Sequence, residues 1–361
     1  MEFLFDLPVL GFVFQFLAYL VNAVTTTSLA PLTLQLATPI ALGALCGVMN
    51  ERSGIVNIGI EGMMLTAAFV GFMVAVLVHE AMPTSPSAFF GVTPALIIGV
   101  LAAVGAGMLV SALHAWLCIS VRADHIISGT VINIVALGLT GYLNRLIRPS
   151  GSAGTFDSFR PPDAITDLPL IGWLLNMFLS VGPISMSVIV LVIVMQVLLF
   201  RSRWGLRTRA VGEHPRAVDT VGIDVIRLRY KNVILGGIFA GLAGAWLTLE
   251  FNASFQNGMT ANRGFIALAA VIFGRWTPIG AFGGGLLFMF SEALGIAIRS
   301  NPPAGELGVF LSGIQADFPS IYNNVFGALP YLLTMIVLAG VVGRSIAPAA
   351  VGRPYTKEGI T

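Results

Sequence analysis

Long apolar stretches separated by short polar links constrain this chain more than any other feature of its sequence. Each stretch approaches the roughly 20 residues that a helix needs to cross a bilayer. They lie near residues 8–24, 31–49, 58–78, 94–118, 126–144, 182–200, 232–250, 279–298 and 327–343. Only 10% of the residues are charged, whereas a water-soluble domain carries about a quarter. The sequence therefore predicts an all-α transmembrane protein with about nine or ten spans.

A further apolar run, residues 264–274, is too short to cross a bilayer. At 1.5 Å per residue it reaches about 16 Å, roughly half of the hydrocarbon thickness. The backbone ends of such a half-helix cannot face lipid, so it must be buried among other helices. We expect it to enter from the outer face and to end at a break beside Arg275 and Trp276, since Pro278 and Gly280 follow.

The basic residues predict an orientation, because cytoplasmic loops carry an excess of Lys and Arg. With residues 201–231 placed in the cytoplasm, fourteen of the nineteen basic residues fall on that side. The C-terminal tail, 344–361, is then cytoplasmic, and the Pro- and Ser-rich segment 149–170 is an outer loop. Residues 1–30 form an N-terminal apolar helix, in which Gln15 and Asn22 weaken the signal for a span.

The cytoplasmic segment 201–231 gathers eight of the basic residues. Within it, Pro215 suits the first position of a helix and Gly222 suits the left-handed residue that follows the last turn. The intervening two turns, 215–221, are too short to be stable alone and need a surface to dock on. The apolar residues of this helix are Ala217, Val218 and Val221. A solvated loop, basic because of its cytoplasmic location, is the alternative interpretation.

Four separated stretches carry a resemblance to a known family. They are WGLRTRAVGEHPRAVDTVGIDV (204–225), LATPIALGALCGVMNERSGIVNIGIEGMML (36–65), NRGFIALAAVIFGRWTPIGAFGGGLLF (262–288) and ADHIISGTVINIVALGLT (123–140). The chain resembles, over roughly residues 31–345, the permease subunits of bacterial ABC importers for branched-chain amino acids, simple sugars and nucleosides. The nucleoside and simple-sugar branch is the most similar.

The resemblance implies that residues 1–361 form a single multi-pass permease domain in the bacterial cytoplasmic (inner) membrane. It implies three protein partners, namely a cytoplasmic ABC ATPase, a second homologous permease and an extracytoplasmic binding protein. The cargo would be a nucleoside or a simple sugar, with a nucleoside preferred. The short helix would be the coupling helix, which fits a groove of the ATPase, and Val218→Glu would then release the ATPase. The residues assigned to this contact are Arg207, Arg209, Glu213, Pro215, Arg216, Ala217, Val218, Asp219, Val221 and Gly222.

The sequence offers no catalytic machinery of its own. It lacks the G-x-x-x-x-G-K-[ST] loop that cradles nucleotide phosphates, and it contains only two lysines, Lys231 and Lys357. Its histidines and cysteines have no spacing typical of a metal site, and no basic, aromatic-rich patch indicates a nucleic-acid partner. We therefore expect no cofactor, no metal and no enzyme activity on this chain. An ion-coupled secondary transporter or a channel for a small polar solute is the alternative function.

Polar residues inside apolar spans are costly and usually face a cavity or another helix. Asn57, Glu61 and Asn133 are the pathway candidates, with Asn57 and Glu61 expected on one helical face. Glu61 is alternatively a cap for a neighbouring helix or a partner of Arg52, and Asn133 is alternatively a link between helices. Weaker candidates are Asn144, His114 and Glu292, of which His114 is better explained as a hydrogen-bonded core histidine.

The sequence also suggests an inverted repeat, because residues 57–72 and 262–276 both begin with Asn-x-Gly and continue as a small-residue apolar helix. Inverted repeats with broken helices place a transport pathway at the repeat interface.

Overall fold

The computed structural model describes residues 8–26, 29–82, 91–147, 151–159, 171–303, 305–328, 332, 335 and 345–356. Fourteen α-helices and no strands lie in these ranges. The first seven are α1 (Pro8–Thr26), α2 (Leu29–Arg52), α3 (Ile60–Ala81), α4 (Pro94–Ala115), α5 (His125–Ile147), α6 (Ile171–Leu179) and α7 (Pro183–Arg201). The others are α8 (Arg203–Glu213), α9 (Pro215–Thr220), α10 (Val225–Ala245), α11 (Arg263–Phe273), α12 (Pro278–Ser300), α13 (Glu306–Asp317) and α14 (Pro319–Gly327). Two of them, α4 and α10, continue as π-helical turns over Trp116–Ser120 and Trp246–Phe251.

Within the described ranges, seven helices are long and apolar enough to cross a membrane, which confirms the all-α, multi-span class. They are α2, α3, α4 with its π-turn, α5, α7, α10 with its π-turn, and α12. Helix α1 contributes a shorter apolar stretch, Phe14–Ala23. The span expected at 327–343 falls almost wholly outside the described residues, so the total of nine or ten spans stays a prediction.

The contacts divide the chain into two compact units. The first contains residues 1–37, 160–181 and 286–343, and the second contains residues 38–159, 182–285 and 344–361. The single permease domain expected over 1–361 stays a prediction beside this division.

The second unit is built around α3, α4 and α10, whose backbones approach closely at glycines. A Cβ atom added at Gly241 of α10 would lie 2.5 Å from the Cα atom of Val104 in α4, and one added at Gly244 would lie 2.5 Å from the carbonyl oxygen of Met64 in α3. Small residues permit this approach and are typical of helix contacts in membranes. Trp246, fully buried, is the largest side chain of the core formed there.

The predicted half-helix and the break after it are confirmed. Helix α11 has eleven residues, and α12 begins only at Pro278 after a turn in which Arg275 and Trp276 adopt positive φ angles of 52° and 53°. Non-glycine residues rarely occupy this conformation. The end of α2 holds the break, because Arg52 donates through Nε to the carbonyl of Trp276 (2.8 Å) and through Nη2 to that of Arg275 (3.1 Å). The indole Nε1 of Trp276 donates to Glu51 (2.5 Å).

The first unit uses polar side chains of α1 to fix its other helices. Gln15 accepts a hydrogen bond from the backbone N–H of Leu307 (3.0 Å), at the start of α13. Tyr19 donates to the carbonyl of Asn301 (3.0 Å). Tyr322 of α14, almost fully buried, donates to the carbonyl of Ile298 (3.4 Å). Gln15, which weakens α1 as a predicted span, thus caps another helix.

Several predicted boundaries are wrong. The helix expected over 232–250 begins at Val225, because Asp224 accepts a hydrogen bond from the backbone N–H of Arg227 (2.9 Å) and caps it. The charged residues that follow belong to this helix and not to the loop 201–231. Helices α6, α13 and α14 were not expected. The apolar helix predicted over 1–30 is observed as α1, and a new helix begins at Leu29.

The glycine contacts generate a stability prediction. Gly241→Ala should destabilise the folded chain by about 1–3 kcal/mol, because the new methyl group forces α4 and α10 apart. Gly138→Ala is the matched control, since an added Cβ at Gly138 in α5 would meet nothing within 4 Å. Thermal unfolding in detergent, followed by size-exclusion chromatography, should show a lower midpoint for Gly241→Ala only. Equal midpoints would show that the backbone contact at Gly241 is unimportant.

Candidate functional site

The residues between α7 and α10 fold into helices α8 and α9, which share an apolar cluster. We call this compact part of the chain, residues 202–224, the cap. Ser202 starts α8 by accepting a hydrogen bond from the N–H of Gly205 (3.0 Å). Helix α9 follows α8 and starts at Pro215, and Gly222 ends it with a φ angle of 81°. The start and stop signals read from the sequence are therefore confirmed. The buried cluster joins Val211 of α8, Val218 of α9 and Val225 of α10.

The C-terminal segment 345–356 docks against this cap. The backbone N–H of Ala350 donates to the carbonyl of Gly212 (2.8 Å), and that of Ala349 donates to the carboxylate of Glu213 (3.0 Å). Farther along, the N–H of Gly352 donates to the carbonyl of Gly54 (3.0 Å). The described part of the tail is therefore held by specific hydrogen bonds and is not a solvated extension.

A buried arginine joins the tail to the connection between α2 and α3. Arg229 of α10 is only 2% exposed. Its Nε donates to the carbonyl of Ser53 (3.0 Å), and its Nη1 donates to the carbonyl of Arg353 (3.1 Å). An arginine fork suits this role, because it presents several donors in fixed directions. Sequence reasoning missed Arg229, since a basic residue at the start of a span looks like an ordinary loop charge.

The coupling residues expected from the sequence divide into two groups. Arg209 lies over the ring of Phe200, with Cζ 4.9 Å from the ring centroid, and Glu213 holds the tail. Val218 is 6% exposed within the chain's own apolar cluster. The burial expected for Val218 is therefore supplied by the chain itself, and a contact of Val218 with a partner stays a prediction. The residues exposed on the surface are Arg207, Arg216, Ala217, Val221 and Gly222, with Pro215 and Asp219 partly exposed.

Concave surfaces lie on both sides of α9. One has a volume of about 540 Å³ and is lined by Arg203, Leu206, Arg207, Ala210, Glu213, His214, Ala217, Val218, Val221 and Ile223. The other, of about 520 Å³, lies between α9 and the tail and includes Arg216, Ala217, Arg353 and Tyr355 among its lining residues. Exposed apolar side chains such as Leu206 and Val221 therefore stand beside several arginines. This combination suits a protein surface that carries carboxylates.

A second polar site lies where α3 begins. An added Cβ at Gly43 or at Gly47 of α2 would lie 3.4 Å from the side chain of Ile60. These glycines precede Arg52, the end of α2, by nine and five residues, or about 14 and 8 Å. Helix α3 therefore begins well inside the layer of spans, and the non-helical residues 53–59 lead into it. The sequence places this start at the membrane boundary, and its position relative to that boundary stays a prediction.

Glu61, in the first turn of α3, caps α11. Its carboxylate accepts hydrogen bonds from the backbone N–H groups of Asn262 (2.9 Å) and Gly264 (2.6 Å). A carboxylate satisfies such exposed N–H donors and is stabilised by the helix dipole. Of the alternatives for Glu61, the helix cap is confirmed, whereas Arg52 binds the break after α11 instead. Helix α11 passes Gly43 with Ala267 and Gly47 with Val271, so it runs in the same direction as α2.

Asn133 holds the non-helical segment against α5. Its amide donates to the carbonyl of Ile58 (3.0 Å), and its oxygen accepts from the N–H of Gly62 (2.8 Å). Asn57 belongs to this segment and precedes α3, so the helical face that it was expected to share with Glu61 does not form. Its side chain is fully buried, near the sulfur atoms of Cys46 and Met63. The part played by these residues in a pathway stays a prediction.

The weaker candidates have different surroundings. His114 is fully buried and lies 3.0 Å from both the hydroxyl of Ser128 and the carbonyl of Val56, which confirms it as a core histidine. Asn144 donates to the side-chain oxygen of Asn257 (3.3 Å). Glu292 is half-buried on α12. Among the described residues, no group of His, Cys, Asp or Glu could hold a metal ion.

Sequence reasoning missed a second capping glutamate, Glu250. It lies in the π-turn after α10 and is 7% exposed. Its carboxylate accepts hydrogen bonds from the N–H of Ile184 (2.6 Å) and from the N–H (3.1 Å) and hydroxyl (2.5 Å) of Ser185, at the start of α7. In the sequence, Glu250 is a single acidic residue at the end of an apolar run. Such a residue normally marks the point where a span meets water.

Comparison with known proteins assigns this architecture. Residues 31–338 match the family described as branched-chain amino acid transport system / permease component. The guanosine ABC transporter permease protein NupQ of Bacillus subtilis (strain 168) is 38% identical, over 91% of this chain and 96% of that protein. The nucleoside ABC transporter permease protein NupC of Lactococcus lactis subsp. cremoris (strain MG1363) is 36% identical, over 89% of this chain and 94% of NupC. The putative glucose ABC transporter permease protein TsgC13 of Haloferax volcanii is 33% identical, over 90% and 96% of the two chains. No solved structure matches this chain.

The hydrogen bonds from α11 to Glu61 can be tested by a single substitution. Glu61→Gln should impair transport while the protein still assembles, because an amide NH₂ replaces one of two acceptor oxygens. A buried donor left unsatisfied costs about 1–3 kcal/mol. Glu80→Gln, at the exposed end of α3, is the matched control. Uptake at equal expression and the thermal midpoint should both fall for Glu61→Gln alone. Normal uptake in that variant would rule out an essential role for the hydrogen bonds between Glu61 and α11.

Proposed function

We propose that this chain, which belongs to the family of branched-chain amino acid transport system permease components, is the membrane-spanning subunit of an ATP-driven nucleoside importer. The observation that carries this proposal is the identity of 38% and 36% to permeases named for guanosine and nucleoside transport. In both, the similarity covers nearly the whole length of the two chains. The spans, the broken helix and the capped loop are therefore features of a transport subunit.

A simple sugar is the second candidate cargo. The 33% identity to a permease named for glucose supports it, over a similar share of the chain. Nucleosides and sugars are both neutral and polar, so the same kind of pathway suits either. The higher identities favour the nucleoside.

The ATPase that drives transport is a separate chain in this proposal, because the sequence has no P-loop. The surface formed by α8, α9 and the tail is the proposed docking site. Its apolar residues Leu206 (61% exposed) and Val221 (72% exposed) offer area for packing. Arg207 and Arg216 stand beside them and suit bidentate contacts to carboxylates. The second permease, the extracytoplasmic binding protein and a cytoplasmic location of the C-terminus complete the proposal.

The proposed function predicts that transport depends on ATP and on the partner chains. Vesicles that contain this permease, its permease partner and the ATPase should take up tritiated guanosine when ATP and the binding protein are supplied. Excess unlabelled uridine should compete with guanosine, and excess glucose should not. Uptake that follows an ion gradient without the ATPase would instead establish a secondary transporter. Competition by glucose alone would establish the sugar as cargo.

The docking surface predicts different effects for two neighbouring valines. Val221→Glu should abolish co-purification of the ATPase and substrate-stimulated ATP hydrolysis, because burying an unpaired carboxylate costs several kcal/mol. The cap should stay folded, since Val221 is exposed on its surface. Val218→Glu should instead unfold the cap itself, because Val218 lies in the cluster with Val211 and Val225.

The control is Ile226→Glu, at a residue 40% exposed on α10 that lines neither concave surface. Limited proteolysis of the loop reports whether the cap is folded. Val221→Glu should resist proteolysis as the wild type does, whereas Val218→Glu should be cleaved rapidly. An ATPase that still binds and is stimulated in Val221→Glu would show that α9 does not dock there.

A further inference from the structure

The connection between α10 and α11 is a polar, non-helical segment, Asn252–Asn262. Its sequence, NASFQNGMTAN, contains four carboxamide side chains and no charged residue. Apart from short turns it has no regular structure, so many of its backbone groups have no helical partner. The position of this segment relative to the spans therefore decides what it can face.

Contacts with α5 give the depth of the segment. Helix α5 has 23 residues, or about 34 Å, which is enough to cross the bilayer. Asn257 accepts a hydrogen bond from Asn144, near the end of α5 that is remote from the cap. At its other end, the backbone N–H of Asn262 donates to Glu61. The next residue, Gly62, donates its N–H to Asn133 in the middle part of α5. Asn144 and Asn133 are eleven residues apart, so the segment descends along α5 by about 16 Å, to the middle of the membrane.

Most of the exposed residues of the descending segment carry carboxamides. Gln256, Asn257 and Asn262 are exposed together with Ala261, whereas Phe255 and Thr260 are buried. Irregular backbone at membrane depth does not face lipid, and it persists only where it is buried in protein or lines a water-filled cavity. Carboxamides in hydrocarbon would add the cost of unsatisfied polar groups. This side of the molecule therefore cannot be a lipid-facing surface.

We propose that Gln256, Asn257, Asn262 and Asn144 form a solute-binding surface, the carboxamide face, that lines the water-filled half of the translocation pathway remote from the ATPase. The inference rests on the proposed function, because it identifies where that transporter holds its cargo. Its ligand is a neutral solute with adjacent hydrogen-bond donors and acceptors, and a nucleobase edge has this chemistry.

The chemistry of the face supports a neutral ligand. A carboxamide presents one acceptor oxygen and an NH₂ donor side by side, and Asn and Gln recognise adenine edges through such paired bonds. The carboxylate that binds the end of this segment, Glu61, is already engaged by two backbone N–H groups. Ala261 and Asn262 have φ angles of 48° and 65°, and this conformation is rare for alanine and is associated with functional sites.

Cysteine labelling in the assembled transporter tests whether water reaches this face. Asn257→Cys and Asn262→Cys are compared with Leu101→Cys, whose residue is 65% exposed on α4 in the same half of the membrane. The two native cysteines are buried and give little background. In vesicles, a charged methanethiosulfonate should label the first two at least about tenfold faster than Leu101→Cys, because it reacts with a thiolate that forms only in water. Guanosine at a saturating concentration should slow the reaction of the methanethiosulfonate with Asn257→Cys.

Two outcomes would overturn the inference. Labelling of Asn257→Cys and Asn262→Cys as slow as that of Leu101→Cys would mean a dry protein interface. Fast labelling with no protection by guanosine, together with normal guanosine uptake by Asn257→Leu, would mean a wet surface that binds no cargo. Uptake by the wild type is measured in parallel and separates the two proposals. Uptake without labelling defeats the carboxamide face alone, whereas absence of ATP-dependent guanosine uptake defeats the proposed function.

Discussion

Satisfying backbone N–H groups inside an apolar layer is the constraint on which this structure depends. A helix that begins within the membrane exposes donors that lipid cannot satisfy. Two helix starts in this chain are bound by a carboxylate from elsewhere in the sequence. Glu61 of α3 binds the start of α11, and Glu250 in the π-turn after α10 binds the start of α7.

Three distant parts of the sequence meet at the cap. They are the loop with α8 and α9, residues 345–356 of the tail, and the connection between α2 and α3. Arg229 joins the last two, because it donates to the carbonyls of Ser53 and Arg353. The charge gathered in residues 201–231 therefore has two roles. Some arginines hold the chain's own backbone or lie on its rings, as Arg209 lies on Phe200, and others remain on the surface.

Local signals in the sequence predicted much of this fold. Apolar length gave the spans and the half-helix, and Pro215 and Gly222 gave the short helix of the loop. Contacts between residues far apart in sequence could not be read in this way. Val218 looks like a surface residue of a short helix until Val211 and Val225 are brought beside it. Asn57 looks helical from its sequence, but residues 53–59, which connect Arg52 to α3, have no helical structure. Glu250 and Arg229 looked like boundary charges, because burial by a distant segment leaves no local pattern.

The close approach of α3, α4 and α10 has a mechanical consequence. Backbones that touch through glycines leave no compressible side-chain layer between them, and packed interiors resist deformation. These three helices must therefore move as one rigid body during any cycle of opening and closing. The flexing has to occur at non-helical junctions, since hinges are short segments that absorb changes in φ and ψ. In the described chain, such junctions are residues 53–59, 252–262 and 274–277.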